Sequence, residues 1–375
     1  MGTPKVVWDH GTAYDMMVSL AVLHSPADYG LRAAWAAGMR SRLPAAEREF
    51  LEQLAGAHAL QTPLLWLHNL SEPKDGAALL RVLADTPAAD RMSLISGNPY
   101  NDMPKLFDER FAAVRARGAW DADDLAAITQ AAQETYPKFF HKAISQKDLD
   151  SIPVMLDWAA DSAAYGERYL RAMQAYYEAF FAEEERRIAP ALNTALERAH
   201  ELAETMTVVE LLEELSQGVR SEDVTHVAEL ALAPCYWTTP LIFFDKVGPD
   251  RMLVLFGARP DTDSLVPGED VPDTLVRALK AISDPTRLRI LRYLSNERLT
   301  PSQLARRLRL RPPTVIHHLQ ALRMARLVQL TVDEGKERVY STRPKAMQDA
   351  FDLLGVFLRS DQAGETITRQ SPPED

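Results

Sequence analysis

"LTPSQLARRLRLRPPTVIHHLQALRMARLV", residues 299–328, reads as two short amphipathic helices joined by a tight connection. Thr300 can cap the first, Pro301 suits its first helical position, and Gln303 completes a capping box. Leu304 and Leu308 then point inward and Arg306 and Arg307 outward. "RLR" makes the connection, and a second helix runs from about Pro312 to Ala325. Val315, Leu319 and Leu322 share one face of it, while Thr314, His317 and Ala321 lie elsewhere. Upstream, "ISDPTRLRILRYL" offers Asp284 as a cap and Pro285 at the first helical position, with Leu288, Leu291 and Leu294 as an inward stripe. Downstream, "LVQLTVDEGKERVYST" alternates as two strands around Asp333–Gly335, a hairpin with Lys336 and Arg338 near its tip.

Helix, helix, tight turn, helix and basic hairpin is the order of a winged helix-turn-helix. A helix after such a turn can lie in the major groove with its N-terminal residues against base edges. Base readout is expected from Thr314, His317 and Gln320, with Ile316 meeting a thymine methyl. Arg306, Arg307, Arg311 and Arg323 are placed to neutralise phosphates, and Lys336 and Arg338 to carry the wing's contact. Charge distribution agrees. The whole chain carries −11, but the segment from Asp270 to Lys345 holds 16 Lys and Arg against 7 Asp and Glu, leaving the remainder at −20. The competing reading is a small helical subdomain whose arginines only keep it soluble.

"LKAISDPTRLRILRYL", the helix pair and "DEGKERVYS" together resemble the ArsR-type bacterial transcriptional regulators over about residues 274–342. The resemblance implies a homodimer that binds a pseudo-palindromic operator in double-stranded DNA and represses until an effector releases it. It departs from the metal-sensing members. "PSQLARRL" has no cysteine, and "KAMQDAFDLLGVFLRS" has Asp349 and Asp352 but no histidine. Thiolate sensing at the family's position is therefore excluded and no metal or other cofactor is expected. Arg311, Pro312, Pro313 and Ile316 stand where the family often has small polar residues, while His317 keeps a frequent histidine. Adjacent helical residues diverge by about 100°, so His317 is expected towards DNA and His318 partly packed beneath the helix.

The rest of the 375-residue chain is mainly helical from Ala13 to about Gln217. Leu170, Met173, Tyr177 and Phe180, then Ile188, Leu192, Leu196 and Ala199, fall at helical spacing, and Pro190 is expected to kink or divide that run. "THVAELALAP", "PLIFFDKV" and "RMLVLFGA" read as a small antiparallel β meander. The expected fold is thus mainly α with that meander and a C-terminal winged helix-turn-helix. Expected boundaries are 1–222 for a helical domain, 223–258 for the attached meander, 259–273 for a linker, 274–360 for the winged helix and 361–375 for a disordered tail.

The sequence contains no H-E-x-x-H, G-x-S-x-G, Walker-type loop or G-x-G-x-x-G, so no catalytic residues are assigned and an enzyme is not expected. A single cysteine, Cys235, permits no internal disulfide. With no signal-like N-terminus and no apolar run of membrane-spanning length, a cytoplasmic protein off the membrane is expected. Trp66, Cys235, Tyr236, Trp237, Phe243 and Phe244 could line an apolar pocket for a small-molecule effector, against the plainer reading of an aromatic core. The N-terminal region would then sense a non-thiolate effector or mediate assembly. An enzyme or a protein-interaction scaffold carrying a winged-helix appendage is the alternative.

Overall fold

The computed structural model describes residues 3–364 apart from 30, 58, 61, 101–104, 141–143, 222–225, 240, 264–270 and 333–337. Its N-terminal body is built on a four-stranded sheet of β1 (Lys5–Trp8), β3 (Glu229–Cys235), β4 (Phe243–Gly248) and β5 (Arg251–Gly257), in the order β1-β3-β5-β4. β1 runs parallel to β3, with Lys5 opposite Glu229 and Trp8 opposite Leu232. β3 runs parallel to β5 from Glu229 opposite Arg251 to Cys235 opposite Gly257. Within this sheet, among the described residues, β4 and β5 are the antiparallel pair. The expected antiparallel meander is therefore a mixed sheet, and β1 belongs to it.

Packing explains the difference. From Leu230 to Cys235, β3 is buried at every residue, as a strand covered on both faces must be. Ala231, Ala233 and Cys235, with Leu253 and Leu255, face the main core, which also takes in α1 (Thr12–His24), α2 (Ser162–Tyr176) and the first turns of α3 (Ala182–Ala203). Leu230, Leu232, Val254 and Phe256 face the other way, onto Ala199 of α3 and Leu211, Leu212 and Leu215 of α4 (Val208–Leu215). A meander with one solvated face would waste half of this apolar run.

The long helical stretch is present, but Pro190 does not divide it: α3 is continuous through that residue. The irregularity comes earlier, where Tyr177–Phe181 winds as a π-helical turn between α2 and α3. Tyr165, Tyr169, Ala172, Met173, Tyr176, Phe180 and Phe181 are buried around this stretch, whereas Leu170 and Tyr177, expected inward, are only half-buried. Ile188, Leu192 and Ala199 are buried as the spacing predicts.

The C-terminal part contains α5 (Asp273–Ile282), α6 (Pro285–Leu294), α7 (Pro301–Leu308), α8 (Pro312–Met324), the antiparallel hairpin of β6 (Val328–Val332) and β7 (Arg338–Thr342), and α9 (Pro344–Gly364). Residues 361–364, expected in a disordered tail, continue α9, and 365–375 lie outside the described residues. Its core is Ile290, Leu291, Leu294, Leu304, Leu308, Val315, Leu319, Leu322 and the wing's Val328 and Leu330. Leu288, expected inward, is half exposed at 50%. Ile290, Leu291 and Leu294 sit at the i, i+1, i+4 positions that face the core, and Leu288 falls on the flank of that stripe.

The two parts share a sheet. β2 (Val219–Ser221), from the segment expected to close the N-terminal domain, pairs in parallel with β6, placing Val219 opposite Leu330 and Ser221 opposite Val332. Around this seam Arg343 donates to the Gln217 carbonyl at 2.6 Å, Gln329 donates to Glu213 at 2.7 Å, and Arg326 pairs with Asp261. The expected linker also begins inside the body. Arg259, its side chain 1% exposed, donates to the Thr239 carbonyl at 3.2 Å and lies 3.5 Å from Asp273 at the start of α5.

Candidate nucleic-acid interface

Three local devices set α8 in place. Asp284 accepts from the Arg287 amide at 2.9 Å, capping α6; that amide holds the Asp284 carboxyl below the usual carboxylate range. Thr300 and Gln303 form the reciprocal capping box at the start of α7, with Thr300 N donating to Gln303 Oε1 at 2.8 Å. Arg309 takes the left-handed conformation at φ 57°, turning the chain within the three residues Arg309–Arg311. Arg311 precedes α8 without a side-chain cap, as an acceptor-free guanidinium requires. Val315, Leu319 and Leu322 then seat α8 on the core.

That seating leaves the other side of α8 open. Thr314, Ile316, His317 and Gln320 are exposed, Ile316 at 51%. Thr314, His317 and Gln320 follow one another at three-residue intervals, so they trace a single edge of the helix. His318 is half-buried, its Nδ1 4.0 Å from Asp284. Arg306 and Arg311 are exposed at the two ends of the turn, and Arg309 between them is exposed as well. Sequence reasoning passed over Arg309; the run "RRLRLR" was the signal.

Other expected contacts are placed differently. Arg307 is held in an ion pair with Glu297 and lies 5.7 Å over the Tyr293 ring. Arg323 is half-buried beside Tyr340 and Arg338, and burial lowers its affinity for a proton. Arg338 is exposed at the start of β7, and Lys336 lies outside the described residues. Thus Thr314, Ile316, His317, Gln320, Arg306, Arg311 and Arg338, with Arg309 beside them, are exposed, while Arg307 is engaged by Glu297 and Arg323 is half-buried.

Of the six residues suggested for an effector pocket, all but Phe244 belong to or pack against the body core. Trp66, Cys235, Tyr236 and Trp237 are buried in the body core, and Phe244 is 64% exposed on β4. Cys235 Sγ donates to Asp15 Oδ1 at 3.2 Å, and Trp237 donates through its amide to Asp15 at 2.9 Å and through Nε1 to Glu184 at 3.0 Å. These polar groups serve to satisfy buried carboxylates. Among the described residues no cluster of three or more His, Cys, Asp or Glu side chains could hold a metal ion, and no helix is long and apolar enough to cross a membrane.

A capped helix–turn–helix whose second helix presents a polar edge between arginines, followed by a two-stranded wing, is the DNA-binding module of a winged-helix transcription regulator. The family model "Bacterial regulatory protein, arsR family" matches residues 284–329, which run from the Asp284 cap through α6, α7 and α8 into the wing. The transcriptional repressor SdpR of Bacillus subtilis (strain 168) is 32% identical over 79 residues, 21% of this chain and 87% of that protein. The chain belongs to the arsR family of bacterial regulatory proteins. No solved structure matches it.

Proposed function

We propose that the protein is a homodimeric, sequence-specific repressor in the cytoplasm, whose N-terminal body senses an effector or sets the arrangement of the two winged helices. The observation that carries DNA reading is the exposed edge Thr314–His317–Gln320, flanked by Arg306 and Arg311. Repression is supported by the similarity to SdpR. A homodimer is supported by apolar surface on α9. Phe351 and Leu358, two turns apart on one face, are 55% and 64% exposed, Val356 is 55% exposed, and Leu279 on the neighbouring α5 is 38% exposed. Large apolar side chains left exposed on one terminal helix and its neighbour favour an association surface.

A dimer would present two copies of α8, matching half-sites about one helical turn apart. The acidic remainder of the chain repels DNA and confines contact to the basic module. The body acts on DNA only through a difference in effector affinity between the DNA-competent arrangement and others. The reading assigns no catalysis to the body.

Binding of the full-length protein to DNA from upstream of its own gene, against a scrambled duplex of equal length and over a salt titration, tests the reading. Preference for the native fragment with affinity falling steeply with salt is expected. Equal binding to both duplexes, unchanged by R306E and R311E, would overturn it in favour of a scaffold.

A further inference from the structure

The seam between body and winged helix holds a half-open cavity of about 410 Å³, lined by Ala21, Ser25, Tyr29, Leu60, Thr62, Leu241, Phe243 and Gln320. All but the last belong to the body; Gln320 comes from the reading edge of α8. The rim is tied to the winged helix, because Arg277 of α5 donates to the Tyr29 carbonyl at 2.8 Å. Its size is that of a small-molecule site. The lining has a definite character. Ala21, Leu60, Leu241 and Phe243 are apolar, Ser25, Thr62, Tyr29 and Gln320 are neutral residues able to hydrogen-bond, and among the described lining residues none carries a charge.

We infer that this cavity binds a neutral, largely apolar organic molecule bearing one or two hydrogen-bonding groups, and that its occupancy opposes DNA binding. An ion would lose its hydration here with no opposite charge among the described lining residues to offset the cost, and the guanidinium at the rim, Arg277, is engaged by the Tyr29 carbonyl. An apolar molecule gains by leaving water, and the hydroxyls and the Gln320 amide fix its orientation. Opposition to DNA follows from Gln320 itself. A side-chain amide engaged by a ligand inside the cavity is withdrawn from the base edges that Thr314 and His317 address. By linkage DNA must lower ligand affinity by the same factor. This rests on the regulator reading above and gives the sensed molecule a place and a chemical class.

The test uses the full-length protein and N-phenyl-1-naphthylamine, a neutral apolar fluorophore with one N–H donor. Saturable fluorescence enhancement with one site per chain is expected. The sulfonated analogue 8-anilinonaphthalene-1-sulfonate, similar in skeleton but anionic, should fail to compete. Filling the cavity with A21F, on α1, should weaken probe binding by ~10-fold or more. T62W, at a partly exposed position that folding tolerates more readily, should do the same. Both variants should keep the thermal melt and the DNA affinity of the parent, and saturating probe should weaken DNA binding by the parent and not by the variants. Unsaturable enhancement, equal affinity for the anionic analogue, insensitivity to both substitutions, or unchanged DNA affinity at saturating probe would each overturn the inference. Failure to bind DNA without probe would strike the regulator reading instead, since the fluorescence and its loss in the variants are read in the absence of DNA.

Discussion

Asp15 shows how a single buried carboxyl shapes this molecule's response to pH. It is fully buried, accepts from Trp237 N and Cys235 Sγ through Oδ1, and leaves Oδ2 without a hydrogen-bond partner. Burial pushes its pKa up from 3.8 to about 7, against the hydrogen bonds that pull it down. In the unfolded chain the group loses its proton near 3.8, while in the folded protein it keeps it until about 7. Between those limits the native state binds the extra proton, so stability falls as pH rises, by about 1.4 kcal/mol per unit. Asp15→Asn removes the titration and keeps an acceptor, and urea denaturation from pH 4.5 to 7.5 should show a shallower decline than the parent. A parallel decline would show that Asp15 stays ionised. Two residues, His317 on α8 and Arg306 on α7, separate reading from anchoring. His317→Ala should cut the preference for operator over scrambled DNA by about 1–3 kcal/mol. Arg306→Ala should weaken both duplexes alike and lower the salt slope by about 1. Competition binding at several salt concentrations distinguishes them, and a uniform loss from His317→Ala would remove it from the reading edge.

At the scale of elements, the caps of α6 and α7 were legible because each is written within four residues: Asp284 with Arg287, Thr300 with Gln303. The inward stripe of α8 was equally legible, as Val315, Leu319 and Leu322 recur at the helical period. The strand β2 was not. Val219–Ser221 has no alternation of its own and becomes a strand only by pairing with β6, about 110 residues later. Gly218, at φ 109°, permits this turn. A Cβ there would lie 2.7 Å from Arg343 Cδ, in a backbone region that side chains rarely adopt. Gly218→Ala should therefore destabilise the fold by about 1–3 kcal/mol and speed proteolytic cleavage near the seam, read by thermal melting and limited trypsin digestion. An unchanged cleavage pattern would mean that the two parts hold together without β2.

For the whole molecule, the apolar residues left exposed on α9 bear on assembly. V356E together with L358E should convert a dimer to a monomer in light scattering behind gel filtration. The double substitution should weaken operator binding far more than binding to a single half-site, since two linked modules gain by effective concentration. Monomeric parent protein at micromolar concentration would remove the dimer from the proposed function.

The winged helix was readable from sequence because its signals are local: N-caps, proline at first helical positions, a period of 3.6 and a basic hairpin, all within residues 284–342. The body withheld its plan for the opposite reason. β1 meets β3 across more than 200 intervening residues, and a continuously apolar strand does not announce whether its neighbour runs parallel or antiparallel. Aromatic residues clustered in sequence at 235–244 diverge in space, Trp237 into the core and Phe244 to solvent, and alternate strand residues such as Phe243 and Phe244 face opposite sides of the sheet. The reading module and its charge follow from short-range signals in the chain. The mixed sheet, the strand shared across the seam and the cavity that touches Gln320 arise from the folded packing, since each depends on residues whose proximity is not set by spacing along the chain.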